Sequence, residues 1–268
     1  MLPIAITDHE FGQFQRFIFE AAGISLAPAK KALVCGRLGR RLQHHALGSY
    51  RDYLELLRSR AGAAEVQTAI DLLTTNETYF FREPRHFDVL RRHAAQRTVR
   101  TQPFRVWSAA CSSGEEVYSI AMVLDDGLGA APWEVLGSDI SERVLQRARS
   151  AHYRALRTDG IPPAYLKRYC LRGVGAQQGT LLVARTLRER TRFSQINLNE
   201  MLPPGGPFDA IFLRNVMIYF DAATKRQVVA RVLGQLKAGG LFFVGHSESL
   251  HDLNAPVRAV APAVYRKS

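Results

Sequence analysis

The chain has 268 residues, 47% apolar, 22% charged and 9% aromatic, the balance of a globular protein with one large core or two modest ones. Its 36 Lys and Arg against 24 Asp and Glu give a net charge of +12, a surface suited to polyanions: nucleic acid, anionic lipid or an acidic protein. There is no run of about 18 apolar residues to predict a spanning helix, and "MLPIAITDHEFGQF" carries no export signal. Three scattered cysteines, Cys35, Cys111 and Cys170, argue against a disulfide framework or a zinc spacing and for reduced thiols in a cytoplasm.

Residues 10–75 read as four helices without a strand. "EFGQFQRFIFEAAG" has apolar residues at helical spacing and a glycine stop. "APAKKALVCGRLGRRLQHHALG" follows, with Pro28 suited to an N-terminus and Gly48 to a C-terminus, and then "SYRDYLELLRSRAG" and "AEVQTAIDLLTT". Residues 1–75 are therefore expected to form an all-helical domain. In its second helix, about 29–46, Lys30, Arg37, Arg40, Arg41 and His44 share one face, while Val34, Leu38 and Leu42 hold an adjacent one. The basic face is expected to be exposed. Residues 76–92, within "LLTTNETYFFREPRHF", read as a linker whose Tyr79, Phe80 and Phe81 pack the seam between two domains.

From Phe104 onward the texture changes. Short apolar runs, "FRVWSAA", "EVLGSDI", "FDAIFL" and "GGLFFVG", alternate with the helical segments "GEEVYSIAMVL", "SERVLQRARSA" and "TKRQVVARVLGQLKAG". Such alternation predicts an α/β domain over 93–268, a mostly parallel sheet with helices on both faces. About 153–192 the alternation breaks into "RGVGAQQGTLLVARTLRERTRF", which predicts an inserted antiparallel β-subdomain.

"VWSAACSSGEEVYSIAM" is a strand, a loop of small residues and a helix start, where a ligand can approach backbone N–H groups. Asp139 closes the next strand, where an acid accepts hydrogen bonds from ribose hydroxyls; its alternative is to cap "SERVLQ", which Ser141 can do instead. G-x-G-x-x-G is absent, and Glu115 and Glu116 stand where a pyrophosphate would lie and would repel it. S-adenosylmethionine (SAM), with a sulfonium, an α-ammonium, a ribose and no phosphate, fits that charge pattern better. Glu115 is expected to face solvent and favour the helix N-terminus. Asn197 and Leu198 end "FSQINLN", and Arg214, Asn215 and Tyr219 follow "FDAIFL" at the sheet's carboxyl edge. Loop capping is the alternative for Asn197 and Asn215, and ordinary core for Leu198, Val216 and Met217.

These residues spell a family. "TNETYFFREPRHF", "VWSAACSSGEEVYSIA", "LGSDIS", "FDAIFLRNVMIYFD" and "GGLFFVGHSESL" resemble the CheR chemotaxis-receptor methyltransferases, and "GISLAPAKKALVCGRLGRRL" resembles their N-terminal domain. The resemblance implies a Rossmann-like SAM-dependent methyltransferase that esterifies glutamate side chains on the cytoplasmic helices of methyl-accepting chemotaxis proteins, releasing S-adenosylhomocysteine and using no metal. It carries cofactor contacts to Asn76, Thr78, Arg82, Glu116, Asp139, Asn197, Leu198, Arg214 and Asn215. Arg82 and Tyr219 are the expected orienting groups for the reacting carboxylate, while His86 and His246 read as structural. Under this resemblance Lys30, Arg37, Arg40 and Arg41 dock the acidic receptor helix. Gly173, Gly175 and Gly179 keep the spacing of members that tether a receptor's C-terminal peptide by edge-strand addition, the alternative being a plain turn that needs glycine.

A cytoplasmic monomer recruited to membrane receptor clusters, without membrane insertion, follows from the same resemblance. Two rivals differ in class. A SAM-binding scaffold or sensor without activity is opposed by the intact Arg82, Glu116, Asp139 and Asn215. A nucleic-acid methyltransferase rests on charge alone, and "LRNVMIY" stands where such enzymes carry a Pro-Pro-aromatic motif.

Overall fold

The computed structural model describes residues 4–97 and 101–268. Residues 1–3, at the start of the expected helical domain, and 98–100, in the expected α/β domain, lie outside that description. The N-terminal part holds α1 (Asp8–Ala22), α2 (Lys31–His44), α3 (Tyr50–Arg58) and α4 (Ala63–Leu73). Thr7 and Glu10 form a reciprocal capping box that starts α1, and Gly23, at φ 71°, ends it. The expected stop at Gly48 is displaced: Ala46, at φ 52°, takes the left-handed position, and Leu47 N–H reaches back to the Leu42 carbonyl at 2.9 Å. Phe14, Ile18, Val34, Leu38, Leu42, Tyr50 and Tyr53 pack into one buried cluster.

The segment expected to be a linker is only partly one. Pro84 opens α5 (Arg85–Ala95), a full helix that buries His86, Phe87, Leu90 and Ala94. Phe87, Leu90 and Ala94 recur at helical spacing and seat α5 on the α/β unit's core. Within the preceding turn Phe80 and Phe81 are buried as expected, but Tyr79 is 49% exposed and lies under the Arg82 guanidinium, 5.7 Å from ring centroid to Cζ.

The α/β unit runs β1 (Phe104–Ser108), α6 (Glu115–Leu128), β2 (Trp133–Asp139), α7 (Glu142–Ser150), β3 (His152–Arg154), α8 (Pro163–Tyr169), β4 (Cys170–Arg172), β5 (Thr180–Val183), α9 (Arg185–Arg188), β6 (Thr191–Gln195), β7 (Phe208–Leu213), α10 (Ala222–Gly234), β8 (Leu236–Val244), β9 (Val257–Ala261) and β10 (Val264–Lys267). Its main sheet has the order β6-β2-β1-β7-β8-β10-β9, parallel from β6 to β8 and antiparallel across β10 and β9. Near-continuous apolar runs such as "FDAIFL" make the central strands, because both faces are covered. The inserted subdomain is a second sheet, β3-β5-β4. The last two residues of its expected range, Thr191 and Arg192, belong instead to β6 of the main sheet.

The two parts meet over the carboxyl ends of the parallel strands. Ile24 bridges Phe220, Ser25 N–H donates to the Tyr219 carbonyl at 2.8 Å, and the Asn197 amide donates to the Ala21 carbonyl at 2.8 Å. Gln67 on α4 reaches the Ile140 carbonyl at 3.0 Å. Among the described residues, no helix is long and apolar enough to cross a membrane.

Candidate cofactor and active site

Between these parts lies a cleft of about 280 Å³. All nine residues expected to hold a cofactor, Asn76, Thr78, Arg82, Glu116, Asp139, Asn197, Leu198, Arg214 and Asn215, line it, as do Tyr219 and Lys30. They come from the linker, α6 and the ends of β2, β6 and β7, where a parallel sheet splays its strand termini apart.

The floor is the loop from Ala109 to Gly114. Several of its backbone donors are committed: Cys111 N–H to the Ser138 carbonyl, Ser112 N–H to Asp139 Oδ2 and Gly114 N–H to the Cys111 carbonyl. A phosphate needs free N–H groups, and this loop has spent those donors within the protein. Asp139 also accepts from Ser141 N–H at 2.9 Å. Each of its oxygens therefore holds one backbone donor and keeps lone pairs for a ligand. The capping alternative for Asp139 is realised through Ser141 N–H, and Ser141 Oγ, the rival cap, has no partner.

Glu116 is the second carboxylate. Ser108 Oγ donates to its Oε1 at 2.7 Å and Arg214 Nη1 to its Oε2 at 3.1 Å. Burial raises its pKa above the ordinary range, against the nearby Arg214. Asp139 is also raised by burial, against the N–H donors of Ser141 and Ser112. A cationic ligand takes the ionised carboxylates, so its binding is expected to release protons and to strengthen as pH rises through their raised pKa values. Calorimetry in buffers of different ionisation enthalpy at mildly acid pH measures this, and equal heats would contradict it.

Glu115 departs from its expected place. It is 1% exposed, with Ser113 Oγ donating to its carboxylate at 2.7 Å. The left-handed turn at Gly114 (φ 93°) sets the direction in which α6 begins, beneath the Ala148 and Tyr153 that close over it. The Asn197 side chain is committed to structure: its amide donates to the Ala21 carbonyl and Glu200, and its Oδ1 accepts from Asn199 N–H. The capping alternative therefore describes that side chain, leaving its backbone and Leu198 to form the wall. Met217 is buried core, as its alternative had it.

An arginine, two acids and a serine do more than the sequence assigned them. Arg214, 5% exposed, sits between Glu116, the Arg82 carbonyl (2.5 Å from Nη2) and Glu83 (3.1 Å). Glu248, 8% exposed, accepts from the backbone N–H groups of Gly245, Asn215 and Ile218, fixing Asn215 in a left-handed turn at φ 56°. Ser112 Oγ ties the floor to the Asn76 carbonyl at 2.8 Å.

The basic face of α2 is only partly free. Arg37 Nη1 donates to the carbonyls of Leu72 and Thr74 at 3.1 and 2.9 Å, finishing the C-terminus of α4. Arg41 makes a bidentate pair with Glu65 at 2.7 and 2.6 Å, and Tyr53 OH donates to the same carboxylate at 2.6 Å. Burial opposes the Glu65 charge, but donors from Arg41, Tyr53 and His45 outweigh it and hold the carboxyl down to about 2. The expectation of exposed docking residues is therefore corrected for Arg37 and Arg41, whose charges fasten α2 to α4. Lys30 and Arg40 remain exposed. Arg37→Ala is expected to lower stability by about 1–2 kcal/mol, since it strands helix-end carbonyls; an unchanged urea midpoint would refute that.

Gly175 and Gly179 have φ 56° and 80°, and a Cβ at Gly173 would lie 1.9 Å from the Gln177 carbonyl. Local turn geometry thus accounts for these three glycines. The neighbouring β4 is an outer strand, with Leu171 58% and Val174 79% exposed on and beside it.

Comparison with known proteins agrees with this arrangement. Residues 76–265 match the family described as CheR methyltransferase, SAM binding domain, and residues 9–74 match CheR methyltransferase, all-alpha domain. The chain is 45% identical to a chemotaxis protein methyltransferase of Salmonella typhimurium over 93% of this chain and 87% of that one. It is 43% identical to a protein of the same description from Escherichia coli, over 99% and 93%. Chemotaxis protein methyltransferase 2 of Pseudomonas aeruginosa is 42% identical over 97% and 93%.

Proposed function

The chain belongs to the CheR methyltransferase family, SAM-dependent methyltransferases of bacterial chemotaxis, and from that premise we propose that it methylates glutamate side chains on the cytoplasmic helices of chemoreceptors. The product is the glutamate 5-O-methyl ester. The observation that carries this reading is two carboxylates, the buried Asp139 and the largely buried Glu116, inside a cleft that also has the Arg82 guanidinium on its lining. Negative charge within suits a sulfonium nucleoside, and positive charge on the lining suits an anionic acceptor.

When bound, SAM supplies a methyl group made electrophilic by the sulfonium. Asp139 holds the ribose hydroxyls with the lone pairs its backbone donors leave over. Glu116 faces the positive end, with Arg214 keeping its carboxylate in place. Ile196 and Leu198, 7% exposed each, provide the apolar wall for the base. Asn76 and Thr78, on the covering turn, help to close the cleft against water.

A glutamate side chain titrates near pH ~4.3 and is already an anion at neutral pH, so the reaction needs no general base. What remains is alignment and removal of water. Arg82 has one modest hydrogen bond, to the Glu77 carbonyl at 3.2 Å, and is free to turn toward an incoming carboxylate. Tyr219 is the second orienting group. Lys30 lines the cleft, and Arg40 adds an exposed charge on α2 for glutamate-rich helices. The outer strand β4 can accept an extended receptor peptide through its free backbone edge. The setting is the cytoplasm, beside the receptors.

Incubation with tritiated SAM and a receptor signalling domain, followed by alkali, tests the reading. Carboxyl esters hydrolyse and release volatile labelled methanol, whereas N-methyl groups do not. Arg82→Lys, which keeps charge but loses the planar fork, is expected to lower kcat about 10–100-fold with little change in SAM affinity. Label that stays involatile would end the carboxyl assignment, and an unchanged kcat would end the role of Arg82.

A further inference from the structure

Behind the cleft, on the far side of Arg214, a second group of side chains converges that the methyl-transfer reading does not use. Glu83, His86 and His246 bring one oxygen and two ring nitrogens within 4.8 Å of one another. Glu83 Oε2 lies 3.4 Å from His86 Nδ1 and 3.8 Å from His246 Nε2. Two donors on a tetrahedral zinc ion, each bound at about 2.0–2.1 Å, stand about 3.3 Å apart. Two of the three separations therefore already approach a coordination sphere.

The donors are also poised. His86 is 1% exposed, and apart from the Pro262 backbone beside the ring neither of its nitrogens meets a well-aligned hydrogen-bond partner, nor does Glu83 Oε2. Arg214 Nη2 is 3.1 Å from that oxygen as an ion-pair neighbour without directing a hydrogen bond at it. A poorly partnered buried imidazole costs free energy that a ligand would recover. Glu83 itself is held in a left-handed backbone conformation at φ 59°, uncommon for a non-glycine residue, which turns it inward at this point. His246 is about half exposed and stands with His86 on a surface cleft of about 750 Å³, so an ion has an entry path and room for a water as fourth ligand.

We propose that Glu83, His86 and His246 form a binding site for a zinc-class divalent cation, and that its occupancy weakens cofactor binding. Imidazole and carboxylate donors suit zinc, nickel and cobalt rather than magnesium or calcium. The coupling follows from connectivity: a cation that takes Glu83 competes with Arg214 for the same carboxylate, and Arg214 is what holds Glu116 and the Arg82 carbonyl. The Arg214 charge opposes the ion in turn, which places the affinity in the micromolar range rather than that of a structural zinc site.

Zinc and cobalt(II) titrated into the full-length protein test the site without any methyl transfer, so its fate is separate from that of the proposed function. One equivalent is expected to bind, with tetrahedral cobalt absorption and no thiolate charge-transfer band. His246→Ala, a change at the exposed member, is expected to weaken binding at least tenfold while thermal melting stays unchanged. The SAM dissociation constant of the wild type is expected to rise at least threefold with zinc and to return with EDTA, with no response in His246→Ala. Zinc binding indifferent to that substitution, or a thiolate band, would overturn the site. SAM affinity indifferent to zinc would overturn the coupling.

Discussion

Arg214→Met is expected to remove about 3–5 kcal/mol of folding stability, the cost of stranding buried charge by deleting its partner. Arg214 is 5% exposed and stands between Glu116 and Glu83, with its second arm on the Arg82 carbonyl. Methionine fills a similar volume but leaves two largely buried carboxylates without the cation between them. Glu116, already raised by burial, then loses the cation that opposes the shift. The loss reads directly in the urea midpoint at neutral pH and shrinks on acidification, as the carboxylates protonate. Adding Glu83→Gln is expected to recover part of it, because one stranded charge is then gone. A loss below about 1 kcal/mol, or no recovery in the double variant, would show that this arginine does not balance the two acids.

Asp139→Ala is expected to act on the ligand and, to a smaller extent, on the fold. Two hydrogen bonds from ribose hydroxyls to a carboxylate, at about 1.5–3 kcal/mol each, translate into a loss of SAM affinity of about 100–1,000-fold or more. The same residue clasps Ser112 N–H and Ser141 N–H, so alanine also loosens the floor. Asp139→Asn separates the two effects: it keeps an acceptor for the floor but loses the charge and one acceptor oxygen. It is expected to melt between Asp139→Ala and the wild type, because its NH2 must face one of the two backbone donors, and to bind at least tenfold more weakly. Calorimetric titration with SAM, alongside thermal melting of both variants, decides between them. Wild-type affinity in Asp139→Asn would contradict the assignment of the ribose to this residue.

The sheet was readable because a strand covered on both faces must be apolar throughout: "FDAIFL" and "FRVWS" carry that requirement in their composition. The last two strands were not anticipated. β9 has an intermediate and exposed pattern, and β10 is mixed, so neither has a buried face to mark it. α5 was read as linker because its helical period follows directly on a Pro and an irregular turn. The cleft residues Asp139, Asn197, Leu198, Arg214 and Asn215 were legible as strand ends, but their partners were not. A wheel places Arg37 and Arg41 on a polar face, yet says nothing of the α4 terminus that consumes one or the Glu65 that binds the other. Glu115 and Glu116 look alike in sequence, and only the turn at Gly114 decides what each of them meets. Glu83 and Glu248 were similarly opaque, because an acid that satisfies backbone N–H groups or a distant arginine has no periodic signature.

The strap from Gly23 to Lys30 bears on how far this enzyme is modular. Ile24, Ser25, Leu26 and Ala27, from the N-terminal part, line the same cleft as Asp139 and Arg214. The catalytic sheet is therefore only half a container, and the helical part is the other half rather than an appended adaptor. Trimming the chain to its α/β portion would leave a trough open to solvent where the reaction requires an enclosed, dry chamber.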